Sequence, residues 1–92
     1  MIMTHIEFIK IIGENVYITA VKHEENGENL LIRVVSFSNR TQNISISINN
    51  MIPCKKSWWY SFKEIKGEQI SDGNTAAFEI MPKQIITIGF EI

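Results

Sequence analysis

The chain has 92 residues, room for one domain around a single thin core, since a domain of this size buries roughly 60–70% of the surface its unfolded chain exposes. Hydrophobic residues make up 45% of it, and nine basic against ten acidic side chains leave a net charge of −1. That composition excludes intrinsic disorder and supplies no basic patch for nucleic acid. No apolar run approaches the roughly 20 residues that span a bilayer.

No basic region followed by an apolar segment opens the sequence, so no targeting signal is visible and a cytoplasmic setting is the default. Cys54 is alone and cannot form an internal disulfide. Asn39-Arg40-Thr41 and Asn43-Ile44-Ser45 match the glycosylation sequon, and without a signal peptide they read as turn and strand chemistry.

Ile6 to Ile12 is short and β-branched, with no capped helical period. It reads as an extra edge strand or an extended leader, so residues 1–14 stand apart from a single domain over 15–92. Val16 to Val21 is β-branched and aromatic, a strand. The polar run His23 to Asn29 holds Asn26-Gly27, a pair that tolerates positive φ and favours a hairpin.

Leu30 to Ser38 is apolar at almost every position, which predicts a central strand covered on both faces for part of its length. Arg33 is the exception. After the polar turn Ser38 to Gln42, Ile44, Ile46 and Ile48 alternate with Ser45, Ser47 and Asn49, the period of a strand with one wet face. Asn50 to Lys56, with Pro53, looks like an irregular crossover.

Ser57 to Ile65 carries Trp58, Trp59, Tyr60 and Phe62 and predicts a further strand. Lys66-Gly67-Glu68 breaks the pattern, and Gln69-Ile70-Ser71 is expected to pair only briefly. Asp72-Gly73-Asn74 then turns the chain into Thr75 to Ile80 and Ile85 to Phe90, with Pro82 between them where no ladder donor is missed. Strands at spacings of about 8–15 residues without helices predict an all-β fold: an antiparallel two-sheet β-sandwich of about six to eight strands, immunoglobulin-like in outline.

No set of residues falls at the spacing of a catalytic or metal centre. His5, His23 and Cys54 do not form a zinc pattern, and no strand-to-helix elbow holds a serine nucleophile. Glu24, Glu25 and Glu64 are simpler as solvated charges than as a glycosidase acid/base pair. No catalytic residue, cofactor ligand or metal ligand is therefore assigned.

Trp58, Trp59 and Tyr60 carry the one constellation with binding potential. Neighbours on a strand point to opposite faces, so Trp58 and Tyr60 share one side and Trp59 takes the other. One side belongs to the core, and the other is open to contact with another domain or subunit, to core packing or to stacking on a sugar ring. Arg33 can lay its stem on apolar surface and pair its head structurally, or serve docking.

In order and spacing these segments resemble the C-terminal β-sandwich domain of the family 38 glycoside hydrolases, the α-mannosidases. A strand ending in lysine corresponds to Val16 to Lys22, an acidic Gly-containing turn to Glu24 to Glu28, and a strand with an internal arginine to Leu30 to Phe37. An asparagine turn follows at Ser38-Asn39-Arg40, then a variable stretch ending in a Glu-containing strand, Ser57 to Ile65. Asp-Gly, an apolar strand, a proline bend and an Ile-Thr-Ile strand close the domain from Asp72 to Ile88.

The resemblance implies a parent enzyme that hydrolyses α-mannosidic linkages with retention of configuration. Its zinc ion and aspartate nucleophile belong to an N-terminal domain of another fold, and no counterpart of either stands here. The chain would then be a non-catalytic structural domain docked on the catalytic domain, either alone or as a homo-oligomer, with an exposed apolar face near Trp58 or Trp59 and Ile85 to Phe90. The start at Met1 departs from the family pattern and fits a fragment, a split gene product or a remnant. The alternative is an independent β-sandwich module that recognises carbohydrate or protein.

Overall fold

The computed structural model describes residues 9–24, 29–49, 51–61, 63 and 65–91. Among them run eight strands: β1 (Ile9–Ile12), β2 (Val16–His23), β3 (Leu30–Ser36), β4 (Gln42–Ile48), β5 (Lys56–Tyr60), β6 (Lys66–Asp72), β7 (Thr75–Ile80) and β8 (Ile85–Glu91). They form a three-stranded sheet in the order β1-β4-β7 and a five-stranded sheet in the order β2-β3-β8-β5-β6. Every pairing is antiparallel. The sandwich expected from the sequence is present, with a strand order of its own.

Alternation places the core between the sheets. From the smaller sheet come Ile9, Ile44, Ile46, Ile48, Ala76 and Ile80, and from the larger Val16, Leu30, Ile32, Val34, Ile88 and Phe90. Ile32, Ile46, Ile80, Ile88 and Phe90 have no solvent-exposed surface. Burial of side chains of this kind contributes about 1.5–3 kcal/mol each. Ile9 brings β1 into this core, and Ile9–Ile12 forms the edge of the smaller sheet beside β4.

Several boundaries differ from the sequence reading. The strand expected over Ser57 to Ile65 ends at Tyr60, after which Ser61 N–H donates to the Ile65 carbonyl and closes the turn into β6. Lys66-Gly67-Glu68, read as a break, opens β6 instead. That strand pairs only with β5 at the rim of its sheet, so solvated polar residues and a glycine are tolerated there, and charge protects the edge. β3 stops at Ser36 rather than Ser38.

β2 and β3 form the expected antiparallel pair, but Glu25 and the Asn26-Gly27 pair expected at its tip lie outside the described residues, as do His5, Phe62 and Glu64. The turn at Asp72-Gly73-Asn74 holds Gly73 at φ 80°, a conformation that favours glycine.

Candidate docking face

The two sheets present different outer faces. On the smaller sheet the outward rows are Lys10–Ser47–Thr75, Ile12–Ser45–Ala77 and Asn43–Glu79. Apart from Ile12 and Ala77 these are polar, and the Ser47 and Thr75 hydroxyls lie 3.1 Å apart. This is the wet face that the alternation of β4 predicts. Asn43, from one sequon, is exposed on it, and Asn39, from the other, is exposed in the bend before β4.

On the larger sheet the outward rows are Tyr17–Val35–Ile85, then Ala20–Arg33–Thr87–Tyr60–Lys66, then Lys22–Leu31–Gly89–Trp58–Gln69. Aromatic, aliphatic and cationic residues mix here as they do in protein interfaces. Tyr17, Phe37 and Ile85 are 53%, 57% and 57% exposed, and the Tyr17 and Phe37 rings are 5.7 Å apart. Together with half-buried Val35 they form an apolar patch at one end of the face.

Tyr60 lies at the other end. A Cβ placed on Gly89 would collide with Tyr60 Cε1 and come within 2.9 Å of both Tyr60 Cδ1 and Leu31 Cδ2. The ring therefore occupies the notch left by the missing side chain, an arrangement that shields an exposed sheet glycine. The Asn29 amide donates to the Tyr60 hydroxyl at 2.7 Å. Tyr60 is 6% exposed and Leu31 3%, which explains why β3 is apolar on both sides. Burial pushes the Tyr60 phenol above its ordinary value; the bond from Asn29 opposes this, while Glu24 and Glu91 reinforce it.

Trp58 shares the outer face with Tyr60 and is half-buried. Lys66 Nζ sits 4.2 Å from its ring centroid and Lys56 Nζ 5.9 Å, while its indole N–H donates to Glu91 Oε1 at 3.3 Å. Trp59 points the other way, packs on the core and meets Phe78 edge-on at 5.1 Å. Each of the three rings is thus engaged within the domain.

Arg33 is half-buried on the outer face, its Nε–H directed at Thr87 Oγ1 over a long 3.5 Å contact. Of the stretch Ile85 to Phe90, expected as an exposed apolar face, only Ile85 is exposed; Ile88 and Phe90 belong to the core. Sequence reasoning missed Tyr17, Phe37, Lys22 and Thr87, although two-residue alternation from the core positions of β2 and β3 marks Tyr17 and Phe37 as outward.

His23 is exposed and Glu24 half-buried. Cys54 is buried in the crossover between β4 and β5, and burial raises its thiol pKa, so it is a packed rather than an activated thiol. Among the described residues no three His, Cys, Asp or Glu side chains gather as a metal site.

The family model for the C-terminal β-sandwich domain of glycosyl hydrolases family 38 matches residues 15–88. The chain belongs to that family. The match takes in the strands of this family 38 domain from β2 through β7 and most of β8, including the apolar patch, Arg33, Trp58 and Tyr60; β1 lies outside it. No curated protein and no solved structure matches this chain.

Proposed function

We propose that this family 38 domain is a non-catalytic structural part of an α-mannosidase, docked against the catalytic domain through the outer face of its five-stranded sheet. The family match carries the reading. The contrast between the two outer faces supports the choice of surface, because an exposed aromatic and aliphatic patch marks a contact site more often than a wet one does. Hydrolysis and its zinc ion fall to the catalytic domain in this reading, and the setting is cytoplasmic.

A carbohydrate-recognising module requires an aromatic ring open for stacking. Trp58 lies under Lys66, Trp59 is turned to the core and Tyr60 covers Gly89, while the open rings of Tyr17 and Phe37 tilt against each other within an apolar patch shared with Val35 and Ile85, so the docking role has the better support.

The test is co-expression of the chain with a family 38 catalytic region from which the closing sandwich has been removed. Co-elution in gel filtration and recovered turnover of an aryl α-mannoside are expected, both reduced by Tyr17→Ser combined with Ile85→Ser. Separate elution, together with saturable calorimetric binding of mannose oligosaccharides by the chain alone, would replace this reading with the module.

A further inference from the structure

β1 and β7 end the smaller sheet, β2 and β6 the larger. Three of these edges discourage a further partner. β2 carries the register shift between Ile18 and Ala20. β6 opens on Lys66, Gly67 and Glu68 and pairs irregularly with β5. β7 lies against β6, where the Ser71 hydroxyl donates to the Thr75 carbonyl at 2.8 Å. Bulges, charge and coverage of this kind keep sheet edges from pairing. β1 has neither bulge, glycine nor proline, and its four residues pair in unbroken register with β4.

That register decides which backbone groups β1 offers. Ile48 N–H donates to the Asn74 carbonyl, so Ile48 directs its polar groups towards β7 and away from Ile9 opposite. Alternation then turns the N–H and C=O groups of Lys10 and Ile12 to β4 and those of Ile9 and Ile11 to the open side. Among the described residues no strand meets them there. Ile9 reaches the core, while Ile11 and, on the neighbouring edge, Ile18 and Val21 pack against it and stay half-buried. The flank between β1 and β2 is therefore an unpaired ladder beside a partly open apolar seam. Lys10 stands between the two open positions, exposed on the outer face, and no acid meets it among the described residues.

We propose that the edge of β1 accepts an antiparallel strand from a protein partner, with aliphatic residues opposite Ile9 and Ile11 and an Asp or Glu between them, opposite Lys10. Backbone hydrogen bonds hold a strand added in this way, and its alternate side chains select it. The aliphatic residues point inward and cover Ile11 and Ile18. The acid falls in the closely spaced pair, its Cα about 4.5 Å from that of Lys10. Charge disfavours a second copy of this chain as the occupant: the register that pairs Ile9 of one copy with Ile11 of the other sets Lys10 against Lys10, and like charges so placed repel. The site lies at the side of the smaller sheet, apart from the outer face of the five-stranded sheet, and does not depend on docking there.

The experiment is a heteronuclear NMR titration of the 92-residue chain with N-acetyl-Thr-Val-Glu-Val-Thr-amide and its Gln and Lys counterparts. The Glu peptide is expected to shift the amides of Ile9 and Ile11 saturably and to slow their exchange. Those of Lys10 and Ile12, already turned to β4, respond less. The Glu peptide should bind roughly threefold more tightly than the Gln peptide, and the Lys peptide more weakly than either, in keeping with cross-strand charge pairs. Lys10→Glu, at an exposed position, should invert that order. N-methylation of both valines removes the donors of the peptide and should abolish binding with the protein unaltered.

No saturable response at Ile9 and Ile11, or a response centred on Tyr17, Val35 and Ile85, would overturn the edge as the site. An order of affinities unchanged by Lys10→Glu would overturn the acid as the residue selected. Shifts at Ile9 and Ile11 on concentrating the chain alone would overturn the foreign strand in favour of a second copy. None of these outcomes turns on co-elution with the catalytic region, which tests the scaffold reading by itself.

Discussion

Gly89 lies beneath the ring of Tyr60, placed there by the pairing of β5 with β8. A methyl group at position 89 has nowhere to go unless Tyr60 swings off the sheet or Leu31 shifts. Gly89→Ala is expected to cost about 1–3 kcal/mol by overpacking, despite the better strand propensity of alanine. Adding Tyr60→Ala should recover part of that loss, so the double variant is more stable than the sum of the single changes predicts. Urea denaturation of the four proteins tests it; strict additivity would mean that the two residues do not meet.

The same tyrosine gives the domain an alkaline limit. Burial raises the phenol above its ordinary value of 10.0 in the folded chain, so the unfolded chain ionises first. The stabilisation is complete below pH 10 and is lost as pH rises from there through the folded value. Cys54 acts in the same direction from its ordinary value of 9.0. The stability gap between the wild type and Tyr60→Phe should therefore narrow as thermal melts move from pH 9 to pH 11, whereas Cys54→Ala removes the decline that begins lower. A gap that stays constant across this range would contradict the assignment.

Trp58 and Trp59 are neighbours with different surroundings. Trp59, also half-buried, meets Phe78 and packs against the core, and its truncation should cost a large part of the about 3–5 kcal/mol of a fully buried tryptophan. Trp58 is half-buried beneath lysines at the surface, where a cation–π contact contributes about 0.5–1 kcal/mol. Trp58→Ala should be the milder change by a clear margin in denaturant midpoint. Equal, large losses would mean that the outer tryptophan is core as well and unsuited to a docking face.

Much of the fold was legible because two-residue alternation and turn chemistry are local. β2, β4, β7 and β8 announce themselves through β-branched runs between polar turns, and Ile44, Ile46 and Ile48 reveal which side faces inward. β6 escaped because a rim strand has little to bury, so Lys66, Gly67 and Glu68 carry no apolar period. The docking face was legible in part. Arg33 stood out within an apolar strand, and the opposite directions of Trp58 and Trp59 follow from alternation alone. That Tyr60 covers Gly89, or that Arg33 meets Thr87, depends on long-range register, which no local pattern encodes. The bulge in β2 is equally hidden, and it decides that Lys22 rather than Val21 faces out.

Asn74 was legible as a turn residue, but the work of its side chain was not. Its Nδ2 lies 2.7 Å from the Ile52 carbonyl, 3.1 Å from that of Ile48 and 3.2 Å from that of Asn49, while Oδ1 accepts from Cys54 N–H at 3.3 Å. Its own carbonyl accepts from Ile48 N–H at 2.8 Å. One amide thus ties down the segment that carries the chain from β4 in one sheet to β5 in the other, and β5 brings Trp58 and Tyr60 to the outer face. Asn74→Ala leaves the part-buried Cys54 N–H and the Ile48 and Ile52 carbonyls without this partner and should cost about 2–4 kcal/mol, near the low end of roughly 1–3 kcal/mol for each because water can reach them. Asn74→Asp keeps the shape but sets carboxylate oxygens against carbonyl oxygens, so it should be at least as damaging at neutral pH. Hydrogen exchange locates the effect: the Cys54 amide should lose protection in Asn74→Ala, which removes its acceptor, and keep more of it in Asn74→Asp, while the paired amides of β3 and β8 exchange only through global unfolding. If Cys54 stays as protected as those amides, Asn74 is merely a turn residue and the crossover is held by its buried apolar side chains.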